Sequence, residues 1–235
     1  MSQTFYKYKS FDNFEFVLDL LLRERLYASS YDELNDPMEG VIDINETISN
    51  ELLPNWKSIL LKLKICCFSK DPNNSLLWAH YADGGRGILV EFEVPNGTPC
   101  YKVNYSRKPK LGKSQLTIDN AMDILKYKDK AWKYEREYRC ILEDEQYLNI
   151  KVKKVYLGPK VSEDRKKLLY GILNCCKPEL KAYQLKGRGE ELFKGLQLQH
   201  GMTKTYVKGQ NDVTNCPKCS QTESYREDLF LTKRN

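Results

Sequence analysis

The run Ile65-Cys66-Cys67-Phe68-Ser69-Lys70-Asp71-Pro72-Asn73-Asn74-Ser75-Leu76-Leu77-Trp78-Ala79-His80-Tyr81, followed by Gly84-Gly85-Arg86-Gly87-Ile88-Leu89-Val90-Glu91-Phe92, decides the fold class. Its first five residues read as a compact strand ending in Ser, closed by Asp71-Pro72-Asn73-Asn74, whose short side chains bond local backbone. Ser75 then caps a short helix carrying Trp78, His80 and Tyr81. The glycines break that helix before a second strand, Ile88 to Phe92, with Cys100 to Tyr105 expected as its antiparallel neighbour.

Upstream, Phe5 to Lys9 reads as an aromatic-rich strand. Asp12 and Glu15 form a candidate capping box for a helix whose apolar face is Phe14, Val17, Leu18, Leu21 and Leu22. Leu26 to Ser29 reads as a strand, Asn35-Asp36-Pro37 as a turn, and Ser49 to Lys62 as a helix. Downstream come a helix from about Leu116 to Trp132, strands at Tyr138–Leu142 and Ile150–Leu157, a helix over Ser162–Cys176, and a last strand at Leu180–Leu185. Strands outnumber helices without alternating strictly with them. An α+β fold with a mixed, mainly antiparallel sheet and flanking helices is therefore expected. One domain is assigned to residues 1–200, and residues 201–235 read as a polar tail or small appended element.

Composition narrows the function classes. The 235 residues are 41% hydrophobic and 30% charged, and no stretch approaches the ~18 apolar residues of a membrane span. Met1-Ser2-Gln3-Thr4-Phe5-Tyr6-Lys7 has no signal-peptide apolar core, so a cytoplasmic protein with no membrane partner is expected. The eight cysteines fall as adjacent pairs, singles and one Cys216-Pro217-Lys218-Cys219, which suits reduced thiols. That last motif is half a zinc ribbon without its second pair, so no metal is expected. The net charge of +6 is concentrated: residues 100–140 hold 11 Lys and Arg against 5 Asp and Glu. Such a segment suits nucleic acid or a nucleotide phosphate, or is simply a solvated face.

Three polar and aromatic clusters carry the candidate chemistry. The first is Tyr6-Lys7-Tyr8 with Tyr27-Ala28-Ser29-Ser30 and Asn35-Asp36-Pro37-Met38-Glu39. The second is Cys67-Phe68-Ser69, Leu77-Trp78-Ala79-His80-Tyr81 and Gly87-Ile88-Leu89-Val90-Glu91-Phe92. The third runs from Lys130 to Arg139. In order and spacing they resemble the bacterial family known as domain of unknown function 2971, over roughly residues 5 to 160. Gly85-Arg86-Gly87 departs from that family's frequent His-x-Gly. A weaker resemblance is to the ADP-ribosyltransferase fold, whose Tyr-bearing strand, Ser-ending strand and later catalytic Glu would fall at Tyr6 or Tyr8, Ser69 and Glu137.

That second resemblance implies NAD as substrate and a protein or nucleic acid as acceptor, in an enzyme of toxin or phage-defence type. Breaking the nicotinamide–ribose bond generates an oxocarbenium-like centre that a fixed carboxylate stabilises. Glu137 and Glu135, two apart, would share one strand face and supply it, with His80 as acid or base. Tyr6, Tyr8, Asn35, Asp36, Ser69, Trp78 and Tyr81 would hold the dinucleotide, and Arg139 its diphosphate. The first two clusters are expected to form one pocket, with Asn35, Asp36 and Glu39 beside Trp78 and His80.

Simpler readings stand beside these. Trp78 and Trp132 suit a core, and Glu135 and Glu137 suit cross-strand ion pairs with Arg136 and Arg139. A non-catalytic nucleic-acid-binding module would use the basic segment 102–139, where Tyr105, Tyr127, Trp132 and Tyr134 interleave with cations. A metal-dependent hydrolase would need Asp36, Glu39, His80 and Glu91 to converge, although no metal-binding spacing is present.

Overall fold

Strand alternation and helical periodicity build two unlike sheet faces. The computed structural model describes residues 3–41, 52–106 and 115–185, with short strands at 43–44, 110–111 and 198–199. The segment 201–235, with Cys216 and Cys219, lies outside the described residues. In chain order the elements begin with β1 (Thr4–Lys9), α1 (Phe14–Leu22), β2 (Arg25–Tyr27), β3 (Asp43–Ile44), α2 (Leu52–Lys62) and β4 (Leu63–Ser69). Next come α3 (Ser75–Tyr81), β5 (Ile88–Glu93), β6 (Tyr101–Lys102), β7 (Lys110–Leu111), α4 (Ile118–Ile124) and β8 (Glu137–Glu143). The chain continues through β9 (Tyr147–Asn149), β10 (Lys151–Leu157), α5 (Glu163–Cys176), β11 (Lys181–Leu185) and β12 (Leu198–Gln199).

Eight strands form one sheet in the order β12-β11-β10-β5-β1-β4-β8-β6. All neighbours are antiparallel except β10 and β11, which α5 joins as a parallel crossover. This is the mixed, mainly antiparallel α+β architecture expected from the strand spacing. Among the described residues no helix is long and apolar enough to cross a membrane.

On one face, Phe5, Cys66, Phe68, Val90, Phe92, Cys140 and Val155 pack beneath Val17 and Leu21 of α1 and Leu169 and Leu173 of α5. The alternate residues point to the other face, as a period of two requires. There the apolar surface is divided. Leu63 and Ile65 meet Trp56 and Leu60 of α2 and Ala121 and Ile124 of α4, while Tyr8 and Leu89 meet Leu77 and Trp78 of α3.

Four local expectations change. Cys100 to Tyr105 does not pair with β5, because β1 and β10 already occupy both of its edges; Tyr101 and Lys102 instead pair with Tyr138 and Arg139 of β8. The helix expected over 116–132 stops after Ile124. Bonds from Asn104 N–H to the Lys126 carbonyl and from Lys128 N–H to the Asn104 carbonyl hold the chain extended there. A separate 3-10 turn, Lys130–Glu135, follows, capped by the Asp129 carboxylate on the Ala131 N–H. At α1 the N-cap is Asn13 with no side-chain cap, so Asp12 and Glu15 form no capping box; a capping box instead joins Ser30 and Glu33. At α3 the cap is Asn74 rather than Ser75, its side chain accepting from the Leu76 and Leu77 N–H groups.

β1 and β4 are joined at a single register pair, Tyr6 opposite Ser69. Toward the other end of β4 the partner is Ser29, which exchanges both backbone bonds with Ile65. Between these two points the Cys67 carbonyl has a side-chain donor, the Lys7 ammonium at 2.6 Å. The sheet opens at this seam, and the candidate site lies over it.

Candidate functional site

A cavity of about 190 Å³ sits over the seam, lined in part by Tyr6, Lys7, Tyr8, Asn35, Tyr81 and Glu135. Its floor comes from three adjacent strands: Tyr6 on β1, Cys67 and Ser69 on β4, and Glu137 and Arg139 on β8. Tyr6, Ser69 and Glu137 are mutually in register across them.

Behind the cavity runs a buried chain of alternating charge. The Arg139 guanidinium, fully buried, grips Glu39 through both terminal nitrogens and Glu137 through Nε at 2.8 Å and Nη2 at 3.1 Å. Its remaining N–H bonds the Leu125 carbonyl at 2.6 Å. All five guanidinium donors are thereby engaged. The Lys128 ammonium lies 3.1 Å from Glu137 and 2.6 Å from Glu135, and Glu135 also accepts from the Tyr81 hydroxyl. Charges taken this far from water are tolerable because each has a bonded opposite partner.

These neighbours set the protonation states. Burial works against the Glu137 carboxylate, yet Arg139 and Lys128, with hydrogen bonds from Arg139 and Cys67, pull its pKa down to about 2. For Glu39 burial prevails over Arg139 and pushes the carboxyl up. Burial also disfavours the Lys128 cation, but Glu137 and Glu135 raise its pKa. Burial, then the bond to Glu135, push the Tyr81 hydroxyl up, so it remains a donor.

The two neighbouring carboxylates thus differ in what they can still do. A carboxylate offers about four acceptor positions. Glu137 receives two bonds from Arg139, one from Lys128 and one from Cys67, which fills them. Glu135 receives one from Tyr81 and one from Lys128. Among the described residues no other group donates to it, so half of its acceptor capacity is left, at the cavity wall.

The residues singled out in the sequence are distributed as follows. Tyr6, Tyr8, Asn35, Ser69, Tyr81, Glu135, Glu137 and Arg139 line the cavity. Several of them serve its frame. Ser69 donates to the Glu135 carbonyl and accepts from the Asp71 N–H, while the Tyr8 hydroxyl donates to the Asp71 carbonyl. Arg139 has no donor left for a diphosphate, which corrects its expected role. Asp36 is buried in the Asn-Asp-Pro turn, accepting from the Met38 N–H at 2.9 Å and the Asp129 N–H at 3.4 Å, and Glu39 goes to Arg139. Trp78 is a core residue, 2% exposed and edge-on to Tyr8, and does not line the cavity. His80 is exposed on the outer side of α3, its ring 6.0 Å from that of Tyr134. The single pocket expected to unite the Asn-Asp-Pro turn with Trp78 and His80 therefore includes Asn35 but neither aromatic. Asp36, Glu39, His80 and Glu91 do not converge, and no metal-binding cluster occurs among the described residues.

Sequence reasoning did not single out Lys128, and it named Lys7 within the first cluster without giving it a role. Lys128 was one cation among 11, with no local pattern to separate it. Lys7 stands between two tyrosines in the middle of β1, a signal that could have marked it. It lines the cavity and forms no ion pair among the described residues, its ammonium donating to the Cys67 carbonyl. In comparisons with known proteins, no family model matches the chain, and no curated protein or solved structure does.

Proposed function

We propose that this chain is an ADP-ribosyltransferase-like enzyme that transfers a glycosyl group from NAD, with Glu135 rather than Glu137 as its catalytic carboxylate. The observation that carries the reading is the unused acceptor capacity of Glu135, held by Tyr81 and Lys128 at the wall of an aromatic cavity. In this reading Glu135 accepts from the ribose hydroxyls and stabilises positive charge as it develops at the anomeric carbon. The bond from that carbon to nicotinamide breaks, nicotinamide leaves with the electron pair, and an acceptor nucleophile bonds to the carbon and releases a proton. The Tyr6 and Tyr81 rings flank the heterocycle, and the Lys7 ammonium meets phosphate. A cavity of about 190 Å³ suits the nicotinamide-riboside end alone, with the adenylate half outside it.

Incubation with labelled NAD and cell extract tests the proposal. The wild type should release nicotinamide and label a macromolecule, and Glu135→Gln should reduce both by about 10²- to 10³-fold while leaving the fold intact. Absence of nicotinamide release by the wild type, or undiminished release by a folded Glu135→Gln protein, would refute it.

A further inference from the structure

On the opposite side of the segment that carries Glu135 and Glu137 lies an open groove of about 860 Å³. Its cations are Lys102 of β6, Lys130 and Lys133 of the 3-10 turn, and Arg136, and its aromatic rings are Tyr105 and Tyr138. Among the described residues no carboxylate lines it. All four cations are exposed; Lys102, Lys130 and Lys133 form no ion pair among the described residues, and Arg136 has only Asp71 at 3.4 Å. The backbone explains the segregation. Arg136 adopts a left-handed conformation, φ 46°, that turns its side chain outward while Glu135 and Glu137 on either side turn in. A second depression continues from Lys102 and Asn104; it adds Lys110, while its Lys126 is paired with Asp123 at 2.7 Å.

We propose that this groove binds single-stranded nucleic acid, with Lys102, Lys130, Lys133 and Arg136 on successive phosphates and Tyr105 and Tyr138 presented to bases. Exposed cations without carboxylate partners attract a polyanion, and releasing the counterions of that polyanion drives binding. Half-buried tyrosines between the cations favour a single strand, because only unpaired bases offer their faces for stacking. Tyr138 packs on Phe5, ring centroids 5.4 Å apart, and the Lys70 ammonium lies 4.9 Å from its ring centroid, a further cation beside the groove. The groove and the cavity are walls of one segment, joined where the Tyr105 hydroxyl accepts from the Glu137 N–H at 2.8 Å. The inference does not depend on the cavity being catalytic.

The test is fluorescence anisotropy of the full chain with labelled oligothymidylate and oligouridylate of about 16 nucleotides, the upper site size of one such module. Engagement of four phosphates should give a log–log salt dependence of slope about −3, at about −0.7 per phosphate on a single strand. Lys102→Glu with Lys133→Glu should flatten that slope and weaken binding at least tenfold without moving the thermal midpoint. Tyr138→Leu keeps apolar contact with Phe5 and should weaken binding about tenfold at unchanged slope. Lack of binding, a slope unaffected by the double charge reversal, full affinity in Tyr138→Leu, or equal affinity for duplex would each overturn the assignment.

Discussion

Glu135 and Glu137 grip the same ammonium, that of Lys128, from two different kinds of backbone. Glu137 is the first residue of β8, whereas Glu135 ends a 3-10 turn, and the left-handed Arg136 between them folds both carboxylates inward. Lys128 is therefore the keystone of the cavity wall, and its removal would leave two buried carboxylates adjacent. Lys128→Met should destabilise the protein by about 3–5 kcal/mol, the usual cost of orphaning a buried ion. Urea denaturation of the two proteins measures this, and a difference below about 1 kcal/mol would mean the network is not buried as described.

Acid should dismantle the same network in a defined window. The folded pKa of Glu137, about 2, lies below the ordinary 4.5, so its contribution is complete above 4.5 and is lost as pH falls toward 2. The raised pKa of Glu39 acts with the opposite sign over its own range. Comparing wild type with Glu137→Gln isolates the first effect. The stability difference between them should be constant near neutrality and shrink below pH 4.5. A difference that stays level down to pH 2 would contradict the assignment.

Thiol chemistry should sort the described cysteines by environment. The Cys100 and Cys140 sulfurs lie 3.0 Å apart, and the hydrogen bond they share lowers the pKa of Cys100 and raises that of Cys140. Burial pushes the Cys66 thiol up to about 12 and Cys67 well above its ordinary value. Brief alkylation of the native protein followed by mass spectrometry should label Cys100 and the exposed Cys175 and Cys176, leaving Cys66, Cys67 and Cys140 unmodified. Prompt labelling of Cys67 would show the cavity floor to be open.

Gly87, the last glycine of the Gly84–Gly87 run before β5, is required for contact. A Cβ there would stand 2.2 Å from the Lys9 carbonyl oxygen and 2.9 Å from the Ala82 Cα, both backbone atoms. Gly87→Ala should therefore cost about 1–3 kcal/mol by forcing β1 away from the end of α3. The readout is the thermal midpoint, and an unchanged value would show that the strands yield freely.

Period-two alternation was enough to read Glu137 and Arg139 onto one face, because β8 is regular from Glu137 onward. It put Glu135 on the right side for the wrong reason, since Glu135 ends a 3-10 turn and reaches that neighbourhood only through the positive φ of Arg136, a conformation no sequence pattern announced. The Asn-Asp-Pro turn was legible, but not its purpose of delivering Glu39 to a residue 100 positions away. Trp78 and His80 share a helix with Tyr81, yet positions 78, 80 and 81 fan out in direction, and only Tyr81 of the three lines the cavity. Strand order was hidden for a related reason. The pairing of β1 with both β5 and β4 joins segments distant in the chain, and nothing local encodes such adjacency.

The single register pair between Tyr6 and Ser69 makes the eight-stranded sheet mechanically uneven. Five strands on one side and three on the other are each joined by ladders of two or more register pairs, while the line between them has one register pair and the Lys7 side chain, with Phe5 packed on Phe68 beneath it. Opening along that line would break fewer backbone bonds than opening along any other, so local opening of the sheet is expected there first. The sheet thus divides into two plates along this fold line, and the cavity opens on it. A guest seated against Tyr6 and Glu135 touches both plates at once, and its grip would register as slower amide exchange along the whole length of the fold line.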